Sequence, residues 1–404
     1  MGAMSWLCGC CGAKSLRVLR KRPEDLNQRS QAPAMGNSGA ASWDLFIDLK
    51  TLEAATDCFS DANRLGQGGF GPVYKGRIEG WEEEVAVKKL AMDSRQGVRE
   101  FMNEVRLLLK VQHRNLVSLI GCCAHPEHKM LVYPYFPNRS LDHFLFSDNE
   151  KRASLNWSKR FEIVVGVAKG LLYLHEESPV KIIHRDIKAS NILLDDQLCP
   201  KISDFGMARL FSADDTHVNT FKISGTYGYM APEYAMNGYL SAKADVFSFG
   251  VLVLEIVSGR KNLDRQLDED KIDLLTYTWK LFEAGRALEL VDPSLDNYNN
   301  EEAALCIQLG LLCCQALVAD RPDMYSVHLM LSSDSFSLPK PGKPGIRGRG
   351  GRWTATSSTA ATNNTRTNST YTGTDTTRAS NIFNSSIEEY SGNSISTSFT
   401  TEGR

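Results

Sequence analysis

No stretch of this 404-residue chain reaches the ~18 to 20 uninterrupted apolar residues that a membrane-spanning helix needs. The opening segment, Met1 to Arg22, also lacks the apolar core of a secretory signal. An excess of one charge is missing too. The net charge is −2, which argues against a nucleic-acid partner captured by bulk charge. Zinc has little to hold it: Cys8 and Cys11 have C-x-x-C spacing, but no second pair of Cys or His lies near them. Without a secretory route, Cys58, Cys122, Cys123, Cys199, Cys306, Cys313 and Cys314 read as reduced thiols packing as small hydrophobes. What remains is ample for a core. Hydrophobic residues make up 42% and charged ones 23%, in a length that suits several domains or one large two-lobed domain.

Residues 1–40 read as a flexible tail, and a short helix is expected from Asp44 to Phe59, with Leu49, Leu52, Ala55 and Phe59 near one face. Residues 62–136 alternate as strands do, Val85-Ala86-Val87 most clearly, with a helix expected over Val98 to Lys110. From Ser158 onward helices dominate: Phe161 to Leu174, Asp245 to Ser258, Glu301 to Ala316 and Met324 to Leu331. The second of these is apolar almost all round and should be buried, with Ser241 as N-cap and Gly259 just past its end. A strand-rich small part followed by a helix-rich large part reads as α+β. Residues 336–404 change character, Pro/Gly/Arg-rich and then Ser/Thr/Asn-rich, which marks disorder.

The chemistry concentrates in a few strings. Gly66-Gln67-Gly68-Gly69-Phe70-Gly71 is a glycine-rich turn whose backbone N–H groups can approach phosphate oxygens. It leads into a strand rather than a helix, which excludes the dinucleotide-binding reading of the same pattern. Lys88 ends the next strand and needs an anion to fix it; Glu104 on the following helix is the candidate, while Lys89 should point away. His184-Arg185-Asp186-Ile187-Lys188-Ala189-Ser190-Asn191 places a carboxylate, an ammonium and a carboxamide on one short loop. Phosphoryl transfer needs such a set: Asp186 as base for an attacking hydroxyl, Lys188 beside the γ-phosphoryl, and Asn191 with Asp204 to hold Mg²⁺. Asp204-Phe205-Gly206 and Ala231-Pro232-Glu233 follow in order.

Residues 59–335 resemble a eukaryotic protein kinase, and more narrowly the plant receptor-like kinases of the cysteine-rich group. Leu65-Gly66-Gln67-Gly68-Gly69-Phe70-Gly71, Gln112-His113-Arg114-Asn115-Leu116-Val117 and Gly225-Thr226-Tyr227-Gly228-Tyr229-Met230-Ala231-Pro232-Glu233 carry the resemblance, with Leu52-Glu53-Ala54-Ala55-Thr56 upstream. It implies a bilobal fold: a small lobe over 59–133, a hinge over 134–138 and a large lobe over 139–335. It implies ATP and Mg²⁺, with Mn²⁺ a possible substitute, and protein substrates. Leu65, Gly66, Gly68, Gly71, Val73, Ala86, Lys88, Tyr133, Pro134, Phe136 and Leu193 would surround the nucleotide. Among them Val73, Ala86 and Leu193 would sandwich adenine. Pro134 stands where the family usually has Glu, so the hinge would offer its carbonyl there and the N–H of Phe136. Phe205, His184, Leu108 and Leu119 would stack between the lobes, anchored by Asp245, and Glu233 would pair with Arg321. Lys188, with Thr226 before Tyr227, resembles the serine/threonine class rather than the tyrosine class.

Arg185 and Arg209 would repel each other until an anion joined them, which a phosphorylated loop residue can supply. Ser212, Thr216, Thr220, Ser224 and Thr226 are candidates, Thr220 first and Thr216 second. At the N-terminus, Cys8, Cys10 and Cys11 precede Lys14, Arg17, Arg20, Lys21 and Arg22. One acyl chain anchors only marginally, but several with a basic patch would hold the inner leaflet. Trp6 stands where a myristoylation signal expects Ser or Thr. The family's extracellular domain and membrane span are absent from the sequence, so the expectation is a receptor-like cytoplasmic kinase acting below an upstream receptor kinase. A scaffold that only docks is the alternative; intact Lys88, Glu104, Asp186, Asn191 and Asp204 argue against it.

Overall fold

The alternating residues between 64 and 134 form five strands: β1 (Arg64–Gly68), β2 (Gly71–Gly76), β3 (Val85–Leu90), β4 (Gly121–Ala124) and β5 (Lys129–Pro134). They make one antiparallel sheet in the order β1-β2-β3-β5-β4. The computed structural model describes residues 45–68, 71–90, 95–212, 215–333 and 338–345. Strand alternation gives the sheet two apolar faces. Val85, Val87, Met130 and Val132 pack with Leu52 of helix α1 (Leu49–Ala55), while Leu131 and Tyr133 join the core that includes Phe101 and Leu108 of α2 (Arg95–Leu108).

Helix α1 is shorter than its periodicity suggests. At its front Phe46 forms a parallel bridge with Cys122 of β4, and the Ile47 N–H donates to the Cys122 carbonyl at 2.9 Å. The fit is close: a Cβ on Gly121 would meet Ile47 Cδ1 at 2.5 Å. Behind it Asp57, Cys58 and Phe59 take φ of 53°, 52° and 58°, which ends the helix. The buried Thr56 hydroxyl donates to the Leu52 carbonyl and closes the last turn.

The large lobe contains α3 (Asp142–Leu145), α4 (Asn149–Ser154), α5 (Trp157–Leu172), β6 (Lys181–Ile183), β7 (Ile192–Leu194), β8 (Pro200–Ile202), β9 (Arg209–Phe211), β10 (His217–Asn219), α6 (Pro232–Asn237), β11 (Tyr239–Ser241), α7 (Ala242–Ser258), α8 (Leu274–Glu283), α9 (Asn300–Cys313) and α10 (Met324–Ser332). Its strands pair as short ribbons, β6 with β9, β7 with β8 and β10 with β11. Every residue of α7 from Ala244 to Ser258 is buried, as its all-round apolar character requires. Gly259 follows in the left-handed region at φ 62°. Ser241 occupies the N-cap position, but its hydroxyl makes no capping bond. One continuous core runs from Leu90 through Phe205 and α7 to Leu331 and so joins the two lobes.

The chain also continues past the expected boundary. Leu338–Gly345, which composition assigns to the disordered tail, lies against the large lobe. The Gln315 amide donates to the Gly342 carbonyl at 2.9 Å and accepts from the Gly342 N–H at 3.0 Å. The Gly345 N–H donates to the Cys314 carbonyl at 2.9 Å. The N-terminal tail with Cys8, Cys10 and Cys11, and residues 346–404, lie outside the described residues. No described helix is long and apolar enough to cross a membrane.

Candidate active site

The site forms where the sheet faces the large lobe. In the β1–β2 hairpin Gly66 lies opposite Val73 and Gly68 opposite Gly71, with Leu65 on the same strand; the tip, Gly69 and Phe70, is outside the described residues. In β3 Ala86 lies opposite Tyr133 and Lys88 opposite both Val73 and Leu131. Pro134 closes β5, and Phe136 beyond it packs on the main core. Leu193 on β7 is bridged to Ser140, just past that connection, and supplies the other wall.

Lys88 Nζ lies 3.1 Å from Glu104 Oε2 and 2.9 Å from Asp204 Oδ1. Burial alone would lower the Lys88 pKa, but the two carboxylates outweigh it and hold the ammonium above its ordinary value. Burial likewise pushes the Asp204 carboxyl up, and Lys88, supported by Lys188 and His184, brings it below the ordinary value. Lys89 turns to the other side of the sheet, its ammonium 4.7 Å from the centre of the Phe59 ring.

Glu104 is shared more widely than the sequence suggests. Its Oε1 accepts from the Tyr133 hydroxyl at 2.6 Å and from the Phe205 N–H at 3.3 Å. Tyr133, expected around the nucleotide, therefore spends its hydroxyl on Glu104. Burial, then the Glu104 charge, pushes that phenol well above its usual pKa. Nothing in local sequence signals this bond, because the partners are 29 residues apart.

The loop from His184 to Asn191 hangs from Asp245 in α7. That carboxylate accepts from the backbone N–H groups of His184 (2.7 Å) and Arg185 (2.8 Å), and His175 Nε2 lies 2.9 Å away. Arg185 takes φ 73°, so this clamp holds a backbone conformation that an arginine rarely adopts. His184 and Phe205 meet edge to face at 4.9 Å, Leu108 lies in the core that contains Phe205, and Leu119 packs against that core.

Asp186 is 2% exposed. Its carboxylate lies 2.9 Å from Lys188 Nζ and accepts from Asn191 Nδ2 at 2.9 Å and from the Thr226 hydroxyl at 2.6 Å. Lys188 also donates to that hydroxyl at 2.8 Å. Thr226 is thus gripped by Asp186 and Lys188, which sets it apart from the other loop hydroxyls. Asn191 spends its amide nitrogen on the backbone carbonyl and the carboxylate of Asp186, so only its oxygen could serve a cation. An ionised carboxylate and an amide oxygen suit a hard divalent ion, which takes few protein ligands and completes its shell with phosphate and water. Among the described residues no group of three or more His, Cys, Asp or Glu is placed to hold a metal ion.

Arg185 and Arg209 line one cavity of about 230 Å³ together with Arg99, Asn103, Lys222 and Ser224. Of the expected loop hydroxyls only Ser224 lines it. Thr220 is tied through its N–H to the Gly238 carbonyl at 2.9 Å, and Thr216 is exposed beside His217. Glu233 and Arg321 pair through two bonds of 2.7 Å. A further buried contact was not foreseen: the Tyr229 hydroxyl lies 2.9 and 2.8 Å from the two oxygens of Glu255. Burial pushes that carboxyl up to about 8.

A strand-rich lobe carrying a carboxylate-paired lysine, above a loop with aspartate, lysine and asparagine, defines a nucleotide-dependent phosphotransferase. The chain belongs to the protein tyrosine and serine/threonine kinase family, whose model matches residues 59–329. It is similar to cysteine-rich receptor-like protein kinase 19 of Arabidopsis thaliana, 51% identical over 334 residues covering 82% of this chain and 51% of the relative. The G-type lectin S-receptor-like serine/threonine-protein kinase RKS1 of the same plant is 53% identical over 310 residues, 76% of this chain and 37% of the relative. Cysteine-rich receptor-like protein kinase 10, also from Arabidopsis thaliana, is 53% identical over 303 residues, 75% and 45% respectively. The chain spans about half or less of the length of these relatives. The family acts with ATP and a divalent metal.

Proposed function

We propose that the chain transfers the γ-phosphoryl of ATP to serine and threonine hydroxyls of proteins, itself included, in intracellular signalling. The observation that carries this reading is the Thr226 hydroxyl held between Asp186 and Lys188 at 2.6 and 2.8 Å. An aliphatic alcohol fits against the base with a cation at its oxygen, which is the arrangement an attacking serine or threonine needs.

Adenine lies between Val73 and Ala86 above and Leu193 below, with the Pro134 carbonyl and the Phe136 N–H as its polar partners. Leu65, Gly66, Gly68 and Gly71 cover the phosphates, and Lys88, held by Glu104, binds the α- and β-phosphates. Asp204 and Asn191 would hold Mg²⁺, or Mn²⁺ in its place, which when bound neutralises charge on the phosphates. Asp186 accepts the hydroxyl proton, and Lys188 stabilises charge on the transferring group.

Loop phosphorylation joining Arg185 and Arg209 is the proposed control, with Thr220 first and Thr216 second. Ser224 enters as a third site because it lines their cavity. Cys8, Cys10 and Cys11, acylated beside the basic run, place the enzyme at the inner leaflet of the plasma membrane. An upstream receptor kinase is its partner there, and no nucleic acid is involved.

Labelled ATP, a generic basic protein substrate and the Asp186→Asn variant test the reaction. Wild type should label itself and the substrate, and the variant should be slower by roughly 10²–10⁴-fold. Folded wild type that neither binds nucleotide nor labels any polypeptide would refute the reading.

A further inference from the structure

Residue 103 stands directly before Glu104 in α2 and reaches a different part of the site. Its Nδ2 lies 3.1 Å from the Phe205 carbonyl, 3.1 Å from the Gly206 carbonyl and 2.7 Å from the Ala208 carbonyl. Three acceptors around one atom require it to be the amide nitrogen, since an oxygen there would face only other oxygens. Phe205–Met207 is a single tight turn, closed by one bond from the Ala208 N–H to the Phe205 carbonyl at 3.0 Å. So short a turn leaves its other carbonyls without internal partners. It also follows Asp204 at φ 69°, ψ 72°, a left-handed conformation that is strained in a residue other than glycine. The segment that aims Asp204 therefore needs an outside support.

We infer that Asn103 is a positioning residue: its amide ties the carbonyls of Phe205, Gly206 and Ala208 to α2 and so holds Asp204 in its metal-binding orientation. This rests on the phosphotransfer reading above. Two consecutive residues of α2 grip Phe205 from both ends, Glu104 at its N–H and Asn103 at its carbonyl. Moving α2 away would break the Lys88 pair and the support of Asp204 in one step. Asn103 spends its amide on the backbone just after Asp204, so its loss acts through Asp204.

Asn103→Ala removes the donors, and Asn103→Asp keeps the size while replacing them with acceptors. Alanine suits a helix interior and Asn103 is half-buried, so the first variant should fold. Transfer rates at saturating ATP, the KM for ATP, and the Mg²⁺ concentration giving half-maximal rate are measured for all three proteins, with thermal melting alongside. In both variants kcat should fall about ten- to a hundred-fold. The half-maximal Mg²⁺ concentration should rise several-fold while the KM for ATP changes less than about threefold, and Asn103→Asp should be at least as damaged as Asn103→Ala. Lower melting with unchanged kcat per folded molecule and unchanged Mg²⁺ dependence would overturn the inference, as would an Asn103→Asp variant of wild-type behaviour. A wild-type protein that transfers no phosphate would instead remove the reading on which the inference rests.

Discussion

Replacing Glu255 with glutamine should change how stability depends on pH, and the size follows from the structure. The Glu255 carboxyl is buried in α7, and the Lys261 charge offsets that burial only weakly. Its close partners are the Tyr229 hydroxyl at 2.9 and 2.8 Å and the Asn262 N–H at 2.8 Å. Burial raises its pKa from 4.5 to about 8, against the bonds from Tyr229 and Asn262 that favour the charged form. Between those values the unfolded chain has released the proton that the folded chain keeps, so the unfolded state binds fewer protons and stability falls as pH rises. The contribution is fully present below pH 4.5 and is lost on the way to pH 8. At about 1.4 kcal/mol per pH unit, the window is worth up to about 5 kcal/mol. Glutamine cannot ionise, so Glu255→Gln should lack this slope. Denaturant unfolding of both proteins at pH 5 and pH 8 gives the comparison. Relative to wild type, the variant should gain several kcal/mol on going from the lower to the higher pH. Parallel pH profiles, differing in slope by less than about 1 kcal/mol over the window, would show that Glu255 is already ionised in the fold.

Arg321→Met should destabilise the large lobe by about 3–5 kcal/mol, because Glu233 is left unpaired. Denaturant unfolding checks this, and adding Glu233→Gln should recover part of the loss. Tyr133→Phe takes a 2.6 Å bond from the buried Glu104. It should cost about 1.5–3 kcal/mol of stability, read by denaturant unfolding, with nucleotide affinity within a fewfold of wild type by titration. Thr220→Ala should lower substrate phosphorylation; wild-type rates in that variant while Ser224→Ala is slow would transfer the control to Ser224. Changing Cys8, Cys10 and Cys11 together to serine should release the protein from membranes on fractionation, and retention would rule out acylation there.

The parts of the site legible in sequence are those whose chemistry is contiguous. Asp186, Lys188 and Asn191 share one loop, and Asp204 sits at a strand-to-glycine turn, so composition and order sufficed. Glu104 was readable because helix and strand periods put it on the face toward Lys88. The contacts that were missed are lateral. Tyr133 with Glu104 and Asn103 with the Phe205–Ala208 carbonyls join residues 29 and about 100 positions apart, through atoms whose meeting depends on the packing of α2. Composition misled at both ends of the domain. Leu338–Gly345 has the proline and glycine of a loose tail, yet Gln315 offers a donor and an acceptor that fix its backbone. The helical period of 44–59 ignored the free edge of β4, which claims Phe46 and Ile47 for itself.

Glu104 shows why so many of these contacts fall together. Its Oε2 serves Lys88, and its Oε1 serves both Tyr133 and the backbone of Phe205. Each partner lost leaves more of this carboxylate's charge, at 1% exposure, unsatisfied. Lys88, Tyr133 on β5 and the backbone that follows Asp204 are therefore tied to one group on α2. Asp245 plays the same part on the opposite side of the cleft, collecting His175 and the two backbone N–H groups that shape the loop bearing Asp186. Asp186 and Asp204 thus hang from separate buried carboxylates in separate lobes. Their mutual placement depends on the core that runs between the lobes through His184 and Phe205, where the two rings touch.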